Sequence, residues 1–160
     1  MPIQPGDTIP SVKLMRATPD GPQEQDTADF FAGRTVVLFG VPGAFTPTCS
    51  ARHLPGFKEQ AEALRAKGVD AIACMAVNDA FVMAAWARDQ GLGEEITMLA
   101  DGSAAFTRAL GLEMDLGARG MGVRCQRFAL IARDGKVEHV GIEAPGAFEA
   151  SKAETILAAL

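Results

Sequence analysis

The sequence predicts an α/β domain with a mixed central sheet and helices on both faces. Three observations lead there. Residues 34–39 and 71–77 are apolar without alternation, the pattern of strands buried on both sides. Each is followed by a segment with apolar residues at helical spacing, which makes a βαβ unit and hence a parallel core. Asp134-Gly135 then joins two further strand-like runs, a strong hairpin signal that adds an antiparallel part.

In chain order, residues 17–28 are polar with Pro and Gly, and read as a surface loop or hairpin. The Thr-Val-Val-Leu-Phe of 34–39 is a central strand. Gly40, Pro42, Gly43 and Pro47 make 40–47 a loop with a constrained backbone. Leu54, Phe57, Ala61 and Leu64 recur at helical spacing within 49–67, and Pro55 should kink that helix or break it briefly. After the strand at 71–77, Asn78 or Asp79 offers an N-cap for a helix containing Phe81, Val82, Ala85 and Trp86. Residues 96–99 form a short strand, and Ser103 caps a brief helix ending near Gly111. Glycines at 117–122 let the chain turn tightly before a strand at 124–132. Residues 136–142 pair with it, and Ser151 opens a last helix with Ile156, Leu157 and Leu160 as its apolar side. No repeat or linker divides the chain, so 1–160 is expected to form a single domain.

Composition narrows the function. At 48% hydrophobic and a net charge of −5, a disordered chain is excluded. The longest apolar runs, 71–77 and 81–87, fall far short of the roughly eighteen residues of a membrane span. The N-terminus shows neither the basic start nor the apolar stretch of a signal peptide, and no basic block invites nucleic acid or anionic lipid. The expected partner is a small molecule. Cys49, Cys74 and Cys125 cannot all pair, lack a C-x-x-C, and fit reduced thiols of a cytoplasmic protein. His53 and His139 are too few and dispersed to suggest a metal. No phosphate-binding G-x-x-x-x-G-K motif exists, and 117–122 does not match a dinucleotide fingerprint, so no cofactor is expected.

Chemistry should lie beyond the carboxyl end of the strand at 34–39, where such sheets place their sites. There Cys49 falls in the first turn of a predicted helix, whose free N–H groups and dipole favour a thiolate. Thr46 stands one turn earlier with a hydroxyl near the sulfur. His53 falls four residues after Cys49, within helical reach, so a Cys/His hydrolase pair is conceivable. Neither a partner carboxylate nor an oxyanion loop accompanies it.

The run Gly40-Val-Pro-Gly-Ala-Phe-Thr-Pro-Thr-Cys49-Ser closely resembles the P-x-x-x-T-x-x-C signature of peroxiredoxins, in the form of the Prx5 or type II group. His53-Leu-Pro-Gly-Phe57, Val77-Asn-Asp-Ala-Phe-Val-Met83 with Trp86, and Arg127-Phe-Ala-Leu130 match as well. The similarity covers nearly the whole chain. It implies a thioredoxin-like fold and a thiol peroxidase for hydrogen peroxide and small alkyl hydroperoxides. Cys49 then matches the peroxidatic cysteine that becomes a sulfenic acid. Thr46 and Arg127 match the polar pair orienting thiolate and peroxide, and Pro42 matches the residue shielding the sulfur. The resemblance further implies recycling by glutaredoxin with glutathione or by thioredoxin, and a homodimer with the Trp86 region near its contact. A histidine at position 53 is common in this group.

Ionising Cys49 alone is insufficient chemistry. A free thiol of pKa about 8.5 is a few per cent ionised at pH 7, so full ionisation gains about thirty-fold at most. The remainder must come from stabilising charge on the departing oxygen, where Arg127 offers a fixed fork of donors. Arg124, three residues earlier on the same predicted strand, faces the other way and reads as a surface or interface ion pair. Cys74 reads as a core thiol, yet its spacing from Cys49 resembles that of type II members whose second cysteine resolves the sulfenic acid. Disulfide geometry would require local unfolding for that pairing. Cys125 departs from the family pattern and receives no role. A binding or holdase protein on the same scaffold is the alternative of another class, and would have no need of Thr46, Cys49 and Arg127 together.

Overall fold

The computed structural model describes all 160 residues, Met1 to Leu160. A hairpin, β1 (Lys13–Thr18) and β2 (Gly21–Asp26), is followed by α1 (Thr27–Phe31) and β3 (Thr35–Gly40). Then come α2 (Leu54–Ala66), β4 (Ala71–Ala76), α3 (Ala80–Asp89), β5 (Thr97–Ala100) and α4 (Ala105–Ala109). The chain ends with β6 (Glu113–Leu116), β7 (Gly122–Cys125), β8 (Phe128–Arg133), β9 (Lys136–Ile142) and α5 (Ala153–Ala159).

Seven strands form one sheet in the order β2-β1-β5-β4-β3-β8-β9, while β6 and β7 form a separate two-stranded ribbon. β3, β4 and β5 are mutually parallel, and β1, β8 and β9 join antiparallel. The unalternating runs are explained by burial on both sides. Val37 and Phe39 of β3 face α2, α3 and α5, together with Ile72 and Cys74 of β4. Val36 and Leu38, with Ala73 and Met75, face α1 and α4. The expected mixed sheet with helices on both faces is therefore present; the hairpin expected within 17–28 starts earlier, at Lys13, and its first strand joins the main sheet.

Local departures have identifiable causes. The helix expected over 49–67 opens with a wide turn, Cys49–His53, in which the Leu54 N–H donates to the Cys49 carbonyl five residues back. Pro55 has no N–H to return to Ala51, so the regular spacing cannot be kept there, and the break falls where the proline predicts it. Asp79 caps α3, accepting from the Val82 N–H, while Asn78 reaches away to the Ala44 N–H. Ser103 does not cap α4. That role falls to the buried Asp101 carboxylate, which accepts from the N–H groups of Phe106 and Thr107. Ser151 does not open α5 either; Lys152 stands at its N-cap, and the Ser151 hydroxyl is turned to Glu143.

The strand expected over 124–132 is two strands. Residues 122–125 pair with β6, and the chain passes from that ribbon to the main sheet through Gln126 and Arg127, the Gln126 N–H bonding to the Leu112 carbonyl. Arg127 thus sits in a gap between strands rather than on a pleat. Alternation along one strand therefore says nothing about where Arg124 points.

Candidate active site

β3 ends at Gly40, and the Val41 N–H, bonded to the Met75 carbonyl, carries the sheet one residue further. A Cβ on Gly40 would collide with the Phe128 ring, so only glycine lets β8 lie this close. The loop then folds tightly. Phe45 holds a φ of 65°, in the left-handed region that bulky residues avoid, and this locates backbone strain just before Thr46. Asn78 Oδ1 accepts the Ala44 N–H at 2.9 Å and ties this loop to the start of α3.

Cys49 is wholly buried, yet its sulfur is not in apolar surroundings alone. Thr46 Oγ1 lies 2.8 Å from Cys49 Sγ and also 2.8 Å from the Gly43 carbonyl. A hydroxyl has one proton. It can donate to Gly43 while accepting from a thiol, or turn to donate to a thiolate, so one residue serves both states of the sulfur. Arg127 Nη2 donates to Cys49 Sγ at 3.2 Å, bringing a permanent positive charge to it.

The second arm of the Arg127 fork meets His53: Nη1 lies 2.9 Å from His53 Nδ1. A guanidinium only donates, so Nδ1 accepts and the proton resides on Nε2, which donates to the Ser151 carbonyl at 3.0 Å. Burial, and next the Arg127 charge, lower the His53 pKa to about 3, so the ring is neutral and can accept. Phe39, Phe57 and Phe148 enclose that ring at centroid distances of 4.9, 5.6 and 5.1 Å. His53 is therefore the partner of Arg127, and its ring nitrogens are occupied by donors and acceptors other than the sulfur. This geometry gives no support to a Cys/His hydrolase pair.

Arg124 is not in a surface ion pair. Its Nη1 donates to the Pro42 carbonyl at 3.3 Å, and its Nε to the Met121 carbonyl at 2.9 Å. A Cβ on Gly43 would press into this guanidinium, so the loop and Arg124 are in close contact. Half-buried Pro42 is fixed by that bond. Trp86, buried on α3, donates from Nε1 to Ser50 Oγ at 3.0 Å and pins the turn beside Cys49. Cys74 and Cys125 are buried and unpaired. Burial, then the neighbouring cysteines, push the Cys74 thiol well up; burial likewise raises Cys125.

The redoxin family model matches residues 4–157. Peroxiredoxin-2C of Oryza sativa subsp. japonica is 51% identical over 160 residues, covering 99% of both chains. The chain belongs to the peroxiredoxins. Peroxiredoxin-2E-2, a chloroplastic protein of the same plant, is 54% identical over 99% of this chain and 72% of its own length. Among solved structures, reduced Prx3 of Vibrio vulnificus in complex with hydrogen peroxide superposes with a TM-score of 0.93 at 55% identity, covering 98% of each chain. The peroxiredoxin has the thioredoxin-like fold that the motif implied, and it is a thiol peroxidase, an oxidoreductase with peroxide as acceptor. It contains no helix long and apolar enough to cross a membrane.

Sequence reasoning missed the partner of Arg127, the contact of Arg124 and the role of Ser151. For His53 a signal existed in its i,i+4 spacing from Cys49. For the other two, none did.

Proposed function

We propose that Cys49 is the peroxidatic nucleophile, with Thr46, Arg127 and Pro42 completing the site. One observation carries this reading: a single sulfur receives both a hydroxyl at 2.8 Å and a guanidinium nitrogen at 3.2 Å. The thiolate attacks one peroxide oxygen, the O–O bond breaks, and Cys49 becomes a sulfenic acid. The departing oxygen leaves as hydroxide or alkoxide and takes up a proton to give water or an alcohol. Arg127 stabilises charge at the sulfur and on the departing oxygen. Pro42, held by Arg124, is the wall of the pocket against water.

Hydrogen peroxide and small alkyl hydroperoxides are the substrates, and a buried sulfur favours such small molecules. Recycling requires the 49–53 turn to open, because an external thiol cannot reach a wholly buried sulfur and Cys74 stands unpaired from Cys49 on β4. Glutaredoxin with glutathione, or thioredoxin, is the proposed reductant, with Cys74 as the optional internal resolver. Three unpaired cysteines favour a reducing compartment such as the cytoplasm. One domain spans the chain, in keeping with a single family match over 4–157. A homodimer through the α3 side is supported by exposed Phe81 on α3, Phe45 on the loop tied to its start and Met15 on β1.

The test is one equivalent of hydrogen peroxide followed by mapping of thiol loss. Rapid, selective oxidation of Cys49 is expected; slow, uniform loss at all three cysteines overturns the assignment. In steady state with glutaredoxin or thioredoxin, full turnover by Cys74→Ser identifies external resolution, and lost turnover with intact Cys49 oxidation identifies Cys74 as resolver.

A further inference from the structure

Glu143 lies just past the end of β9, far in sequence from Cys49, and belongs to no motif. Its carboxylate is nonetheless nearly buried and saturated by one short segment. Oε2 accepts from the N–H groups of Glu149 and Ser151, both at 2.8 Å, and from the Ser151 hydroxyl at 2.6 Å. Oε1 accepts from the Ala150 N–H at 3.2 Å. The segment lies directly across β9, since a Cβ on Gly141 would collide with the Ala150 carbonyl.

Two further bonds close a ring. The Glu143 N–H donates to the Arg127 carbonyl at 2.9 Å, and the Ser151 carbonyl takes the proton of His53 Nε2. Arg127 is thereby held at both ends through Glu143. Its backbone is bonded to Glu143 directly, and its guanidinium is bonded through His53 and Ser151. We propose that Glu143 is a positioning residue for the peroxidase reaction, fixing the Ser151 carbonyl so that His53 keeps its proton on Nε2 and presents Nδ1 to Arg127. This rests on the reading of Arg127 above. Without the carboxylate, the 149–151 N–H groups lose their common acceptor and the carbonyl is free to turn. His53 can then take the other tautomer, which places a proton against the Arg127 fork. The arm that reaches Cys49 loses its register.

A glutamine tests the charge and the acceptor set at nearly constant shape, because its amide NH₂ would face donors. The first measurement is on the wild-type protein: nitrogen-15 NMR of His53 should show the Nε2–H form, and an Nδ1–H form overturns the proposal with no variant needed. Next, Glu143→Gln, with Glu143→Asp as the conservative partner, is compared for that tautomer and for the single-turnover rate of Cys49 with hydrogen peroxide. The glutamine variant should show mixed tautomers and a rate lower by about tenfold or more, as for other groups that orient a reacting residue from behind. The aspartate variant should recover part of both. Loss of thermal stability with tautomer and rate intact would show a purely structural carboxylate and overturn the proposal. Arg127→Lys, run alongside, separates the two readings. If it keeps the full rate, the role of Arg127 fails and the proposal with it; if it loses rate while folded Glu143→Gln does not, the proposal alone fails.

Discussion

The turn carrying Cys49 and the strand carrying Cys74 place two wholly buried thiols in one apolar cluster. Cys74 sits on β4 among side chains that only exclude water, and its pKa is pushed well up, by burial first. Around Cys49 the chain instead leaves regular structure: a strained loop residue, a wide helical turn and a gap between β7 and β8 bring Thr46 and Arg127 to the sulfur. Burial by itself suppresses a thiolate. In the proposed mechanism, donors supplied by irregular backbone make one of two equally buried sulfurs a reagent.

Stripping one donor should break the contrast severely. Thr46→Val, which keeps the shape and removes the hydroxyl, is expected to slow the single-turnover reaction of Cys49 with hydrogen peroxide by about 10². Thr46→Ser should stay near wild type, and Cys74→Ser should leave this first step unaltered in stopped-flow measurements. Equal slowing by the Cys74 variant would mean that the two thiols act as one unit.

A smaller effect concerns stability. His53 titrates near 6.5 when unfolded and at about 3 when folded, so between those values the unfolded chain binds a proton that the folded chain does not. Its neutral burial therefore costs nothing above pH 6.5, and folding stability falls as pH drops below it. The limiting slope is about 1.4 kcal/mol per pH unit. Urea unfolding at pH 7.5, 6.0 and 5.0 should show this loss, ahead of acid effects from carboxylates. Burial works to raise the Glu143 carboxyl, but the bonds from Ser151, Ala150 and Glu149 outweigh it and hold it below the usual range. Its contribution is present above the ordinary carboxylate range and goes only as pH falls through that lowered value. A stability curve flat to pH 5 would contradict the buried neutral imidazole.

The parts legible in sequence were those set by local rules. Unalternating apolar runs gave β3 and β4, Asp134-Gly135 gave the β8–β9 hairpin, and Pro55 marked the break at Cys49–His53. The Thr46–Cys49 spacing survived because three residues within one turn must be close. What stayed hidden depends on tertiary placement. Arg124 was misread because its strand ends two residues before β8 begins, a change of sheet that no side-chain pattern announces. Ser103 and Ser151 look like caps, but the Asp101 carboxylate takes the N–H groups at the start of α4, and Glu143 draws the Ser151 hydroxyl away from α5. The Arg127–His53 bond joins residues 74 apart in sequence, and only the folded sheet brings them together.

The central claim is that a guanidinium at the sulfur does more than ionise it. Arg127→Lys tests this most directly, by measuring the peroxide rate and the Cys49 titration on the same sample. The rate is expected to fall by about 10² or more, well beyond the roughly thirty-fold that a return from full ionisation to that of a free thiol could explain. A rate loss fully accounted for by the change in thiolate fraction would contradict the claim.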